Sequence, residues 1–121
     1  MVILDSNIFI YLGTGRIELD IIKGLQIGYA SVTAIETLGY RNITVLEERR
    51  LNRILQAYPR LDLTDNIIKR AITLRQDKKI SLGDSIIAAT AIEENAVLWT
   101  VNSRDFEHIA ELTVFNPLSQ T

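Results

Sequence analysis

Four carboxylates in this chain stand where a charge is hard to place. Asp5 follows Val2-Ile3-Leu4 and precedes a second apolar run, Ile8 to Leu12. Glu36 lies in SVTAIETLGY, Asp84 in ISLGDSIIAATAI and Asp105 in LWTVNSRDF. Other acids (Glu18, Glu47, Glu48, Glu93, Glu94, Glu107) read as solvated helix-face charges. Each of the four has a structural reading. Asp5 suits a helix N-cap, and Thr33-x-x-Glu36 is a capping-box pattern. Asp84 falls in a first turn that Ser81 caps, and Asn102 caps a turn holding Asp105. Brought together, however, the four repel. At an effective dielectric near 20, one like-charged pair 4 Å apart costs about 4 kcal/mol. Protonation relieves this, as in paired-aspartate enzymes, and so does a divalent cation. The chain has no Cys and one His, so an all-oxygen site suits a hard ion, Mg²⁺ or Mn²⁺. Such an ion polarises a phosphate and makes bound water easier to deprotonate, which fits phosphate-ester hydrolysis.

Whether the four meet depends on the elements that carry them. Residues 2–4 read as a short buried strand. A helix over 6–12 follows and breaks near Gly13 and Gly15, and the apolar spacing of 17–26 predicts another. GYASV (28–32) reads as a strand, with a helix over 33–40. Residues 44–57 form an amphipathic helix with Val45, Leu46, Leu51, Ile54 and Leu55 on one side, stopped by Tyr58-Pro59. RLDL (60–63) is a brief strand. Thr64 caps a helix over 65–78 with the stripe Ile67, Ile68, Ala71, Ile72 and Leu74. Residues 81–95 form a deeply buried helix, and 96–101 and 112–116 are strands. Strands alternating with helices predict an α/β domain with a mainly parallel sheet. In that arrangement strand C-termini share one edge, where ligands bind. Asp5, Glu36 and Asp105 all follow predicted strands.

Length fits one domain over 1–121. With 47% hydrophobic and 23% charged residues, the chain has enough apolar side chains for a core and is not of disordered composition. No apolar run reaches the roughly 20 residues of a membrane helix. The N-terminus lacks a basic segment and a small-residue cleavage site, so a cytoplasmic protein without a signal peptide is expected. Net charge is −2, but its distribution is uneven. Residues 41–79 carry ten basic and five acidic side chains, while 80–121 carry one basic, Arg104, and six acidic. The basic middle reads as solvated helix faces or as a surface that meets phosphates. Arg16 and Arg104, near the acidic motifs, have the same two readings. His108, the lone histidine, and Trp99, in a buried strand, read as structural. No Gly-rich nucleotide-binding motif is present.

The acidic motifs together resemble those of PIN-domain ribonucleases. LDSNIFIYL carries a D-[ST]-N opening with Asp5, Ser6 and Asn7. SVTAIETLGY carries the second motif, with Glu36, and LRQDKKISLGDSIIAATAI the third, with Asp84. LWTVNSRDF matches T-x-N-x-x-D-F, with Thr100, Asn102, Asp105 and Phe106. Order and spacing agree over essentially the whole chain, and the length and IIAATAI helix are most similar to VapC-type toxins of toxin–antitoxin pairs. The resemblance implies a three-layer α/β sandwich and a Mg²⁺- or Mn²⁺-dependent endoribonuclease. Its acidic site is then Asp5, Glu36, Asp84 and Asp105, with Asp5 and Asp84 as direct metal ligands. Ser6 supports the site, Asn7 holds the turn after the first strand and Asn102 positions the loop of Asp105. It also implies an RNA substrate (tRNA or another structured RNA), a homodimer and a cognate antitoxin. One departure is Ser31-x-Thr33 where Ser-x-x-Thr is frequent.

Competing readings fit less of the sequence. An aspartyl-nucleophile phosphatase needs a second Asp at position 7, which is Asn7, and a receiver domain needs paired acids and a late Lys that LWTVN lacks. A catalytically silent PIN-like module acting through protein–protein contact is the remaining alternative.

Overall fold

The computed structural model describes residues 1–119. Among them the order is β1 (Val2–Leu4), α1 (Ser6–Thr14), β2 (Ile27–Ala30), α2 (Ser31–Leu38), α3 (Val45–Gln56), β3 (Arg60–Leu61), α4 (Asp65–Asp77), α5 (Leu82–Glu93), β4 (Val97–Trp99) and β5 (Val114–Phe115). The strands form one parallel sheet in the order β3-β2-β1-β4-β5. Chain order therefore runs outward from β1 to β3 on one side, and from β4 to β5 on the other. The reversal between β1 and β4 is the crevice where ligands bind in sheets of this kind.

Alternation along the strands assigns the two faces. Ile3, Ala30 and Leu98 join the core under α4 and α5, with Ile67, Leu74, Ile87 and Phe106. Leu4, Ile27 and Tyr29 join the core under α1 and α3, with Ile8, Phe9, Leu51 and Leu55. Helices cover both faces, giving the expected three-layer sandwich. Ala88, Ala89 and Ala91 are fully buried, and their small side chains let α5 lie close to the sheet and α4. Helix starts follow the sequence: Thr44 and Glu47 form a reciprocal capping box on α3, Thr64 caps α4 and Ser81 caps α5.

Several local expectations change. The helix expected over 17–26 is only a 3-10 turn, Leu19–Ile22. Ile17 and Ile22 are buried but Leu19, Ile21 and Leu25 are exposed, and Gly24 takes a left-handed φ of 80° that ends any helix. Gly13 does not break α1. It lies inside the helix, where an added Cβ would stand 3.1 Å from Leu51 Cδ2, so it permits the close approach of α1 to α3. Gly15, at φ 79°, is the actual stop. Helix α2 starts at Ser31, two residues early, so Thr33 is not a cap. Val45 and Leu46 on α3, and Ile68 and Ile72 on α4, point to solvent; each buried stripe is narrower than the apolar pattern.

Candidate active site

Three of the four acids follow directly from the strand ends. Asp5 sits between β1 and α1 as the N-cap, its Oδ1 accepting the Ser6 N–H at 2.8 Å. Its backbone N–H donates to the Trp99 carbonyl at 2.9 Å, tying it to the end of β4. Thr100, the residue after Trp99, donates its hydroxyl to Asp5 Oδ2 at 2.7 Å. Both carboxylate oxygens of this 5%-exposed side chain are thus held, one from the start of α1 and one from just beyond β4.

Glu36 comes from the first turns of α2, after β2. Its Oε1 accepts the Ser6 hydroxyl at 2.7 Å, and Ser6 Oγ also lies 3.2 Å from the buried Thr33 Oγ1. The capping-box reading of Thr33 and Glu36 is therefore corrected: both face Ser6 on α1. Glu36 also lies against Gly83 of α5, where an added Cβ would come within 3.1 Å of its Cδ. Asp84, the next residue, occupies the first turn of α5, its N–H donating to Ser81 Oγ at 3.1 Å. Asp105 lies on a 3-10 turn, Ser103–Asp105, after β4. That turn is closed by the Asp105 N–H on the Asn102 carbonyl at 3.0 Å, while the Asn102 N–H donates to Thr100 Oγ1 at 3.0 Å.

The supporting residues divide. Ser6 bridges two elements of the site. Asn102 acts through its backbone, and its side chain makes no cap bond, contrary to expectation. The turn after β1 is held by the Asp5 carboxylate and by the Ile8 N–H on the Asp5 carbonyl at 3.0 Å. Asn7 is half-buried and makes no side-chain hydrogen bond among the described residues. Two contributors had no role assigned to them from sequence. Thr100 lies within the LWTVNSRDF motif, but nothing local shows that its partner is 95 residues away. Gly83 looks like an ordinary helix-weakening glycine until Glu36 is seen against it.

Electrostatics shows that the acids share one field. Burial pushes the Asp84 carboxyl up to about 6, with the charges of Asp5, Asp105 and Glu36 adding to it and the Ser81 hydroxyl opposing. Asp5 is also raised, first by burial. The Thr100 and Ser6 bonds pull it back, while Glu36 and Asp105 push it further. Among the described residues no Lys or Arg forms an ion pair with any of the four, whereas Asp62, Glu93 and Glu111 are paired with Arg60 or Arg70. Sequence-distant acids thus gather beside the β1–β4 crevice without a cationic partner, and the donor chemistry fits a hard divalent ion. As the side chains stand, no three acids among the described residues form a ready-made metal cage. A Mg²⁺ site with one or two direct carboxylates and several waters does not require one.

Fold and site together define a PIN domain: that family matches residues 2–112, and the chain belongs to it. A protein named Ribonuclease VapC from Rickettsia bellii (strain RML369-C) is 41% identical over 61 residues. The match covers 50% of this chain and 41% of that protein, so it spans less than half of the relative's length. Among solved structures, a chain of a toxin-antitoxin complex from Klebsiella pneumoniae is 29% identical, with 99% of this chain and all of that one covered at a TM-score of 0.81. A chain of VapBC2 from Rickettsia felis, bound to a DNA fragment from their promoter, is 24% identical, with 96% and 98% covered at a TM-score of 0.82, a likeness of fold. Among the described residues no helix is long and apolar enough to cross a membrane.

Proposed function

We propose that this protein is a Mg²⁺- or Mn²⁺-dependent endoribonuclease, the toxin of a toxin–antitoxin pair, with tRNA or another structured RNA as substrate. The observation that carries the reading is the unpaired acidic cluster at the β1–β4 switch point, in a chain of the PIN family. The partly matching VapC relative and the toxin–antitoxin neighbours support the toxin role and an antitoxin partner. A homodimer and a cytoplasmic location belong to the same proposal.

Asp5 and Asp84 would hold the ion, and when bound it supplies positive charge beside the phosphate and a more acidic water. Thr100 and the Ser6 N–H fix the Asp5 oxygens. Ser6 and Gly83 set the Glu36 carboxylate, which with Asp105 orients water about the phosphate. Products are expected to carry 5′-phosphate and 3′-hydroxyl ends. The one observation that favours a silent module instead is the spread of the acids, with no three close enough to form a cage.

Two measurements separate the readings. Structured RNAs incubated with purified protein and Mg²⁺ or Mn²⁺ are cut, and chelation or Asp5→Asn stops the cutting. Activity that survives both would overturn the mechanism. Thermal melting adds a test free of substrate choice: Mg²⁺ raises the wild-type midpoint, and Asp84→Asn reduces the rise. A wild-type protein indifferent to Mg²⁺ and Mn²⁺ is the signature of the silent module.

A further inference from the structure

We propose that the cavity beside Asp84 and Asp105 seats a phosphate of the nucleic-acid backbone, with Lys79 and Arg104 as its two cationic contacts. The inference rests on the ribonuclease reading and adds the side from which the substrate backbone reaches the acids.

The cavity holds about 400 Å³, within the roughly 300–1,000 Å³ span of ligand pockets. Asp84 and Asp105 line it together with Lys79, Arg104 and His108. A second cavity of about 400 Å³ shares Arg104 and Asp105 and continues to Asn102, Ser103 and Asn116. Arg104 and Asp105 therefore form the ridge between two hollows, one reaching the start of α5 and the other the end of β5. Their backbone is fixed there by the closed 3-10 turn, Ser103–Asp105.

Charge placement points to an anion. Arg104 is the one basic residue among the 42 positions from 80 to 121, a stretch with six acids. That lone cation stands on the ridge. Neither Arg104 nor Lys79 forms an ion pair within 4 Å among the described residues, although two carboxylates line the same cavity. Both side chains are exposed, so their N–H groups remain available. The guanidinium fork matches two phosphate oxygens, and the ammonium adds a mobile point charge. His108 adds unmet bonding capacity: its Nε2 is the one covered side-chain nitrogen or oxygen without a partner among the described residues. A lining that carries both cations and carboxylates suits a phosphodiester, whose charge the cations meet while the acids take a hard ion. The bland alternative is that Lys79 and Arg104 only soften the repulsion among the acids.

The test is binding of a fluorescein-labelled twelve-nucleotide oligouridylate in Ca²⁺, a hard oxygen-bound cation, with the oligonucleotide recovered intact. Lys79→Gln and Arg104→Gln are compared with Lys23→Gln, which removes the same charge beyond the opposite end of β2. Each cavity variant is expected to weaken binding about fivefold or more, and to flatten the slope of log K against log salt by about 0.7, one phosphate contact on a single strand. The Lys23 variant should change affinity less than twofold. Cavity variants that bind like the Lys23 variant, or a wild-type protein that fails to bind the oligonucleotide at 50 mM salt (a level chosen as about the low end of the salt range), would overturn the proposal. The Mg²⁺ melting shift is read in parallel. If it persists while the cavity variants bind normally, only the phosphate seat fails; if the wild-type shift is absent, the ribonuclease reading fails with it.

Discussion

Gly83→Ala tests the site through a residue that carries no chemistry of its own. Replacing glycine by alanine inside a helix stabilises it by about 0.5–1 kcal/mol, and the lower figure suits position 83, the second residue of α5. The added methyl, however, would stand 3.1 Å from Glu36 Cδ and 3.4 Å from Oε1, and closer still to Oε2. Glu36 is exposed and swings away at the loss of its bond from Ser6. A hydrogen bond to a charged group contributes about 1.5–3 kcal/mol. Ser6 keeps Thr33 as a neighbour at 3.2 Å, and the freed carboxylate reaches water, so the loss falls at the low end of that range. The helical gain offsets only about a third of the loss, leaving a net destabilisation of about 1 kcal/mol. In a Glu36→Ala background only the helical gain remains. Urea melts of the four proteins in this double-mutant cycle should give a coupling of about 1–2 kcal/mol. Cleavage by Gly83→Ala alone should drop about 100-fold, as expected when a positioned group moves by an ångström or so. Equal stability changes in both backgrounds, or full activity in Gly83→Ala, would refute the reasoning.

Two further predictions follow from the buried carboxylates. Thr100→Val removes the hydroxyl from Asp5 Oδ2 and from the Asn102 N–H. It should destabilise by about 1–3 kcal/mol near neutral pH, and by less in acid, because the Thr100 bond favours the ionised form of Asp5; denaturant melts under both conditions check this. In chelator, the raised Asp84 carboxyl makes the folded state bind more protons than the unfolded chain between its ordinary value of 3.8 and about 6. Stability must therefore fall as pH rises through that window, by at most ~3 kcal/mol and about half that after solvent screening. Asp84→Asn should flatten the fall, leaving the part due to the raised Asp5; stability that rises over the same window would contradict it.

The local patterns carried a large part of the answer. Alternating strand and helix segments predicted the parallel α/β sheet, and Thr64 and Ser81 marked their helix starts because a cap is a contact between residues two or three apart. The four acids were recognisable because charge beside apolar residues conflicts with local burial. Where the pattern was ambiguous, packing decided. Residues 17–26 had helical spacing but too few buried positions to support a helix, and Val45, Leu46, Ile68 and Ile72 had apolar types but no surface to cover them.

The residue types and their order along the chain determined which carboxylates needed partners, since the cost of an isolated charge follows from its neighbours. Only the tertiary structure decided who those partners are. Thr100 reaches Asp5 across 95 residues, Ser6 reaches Glu36 across 30, and Gly83 leaves room for a side chain from another helix. Such contacts arise because parallel strands bring distant segments to one edge, a geometry with no local period along the chain to announce it.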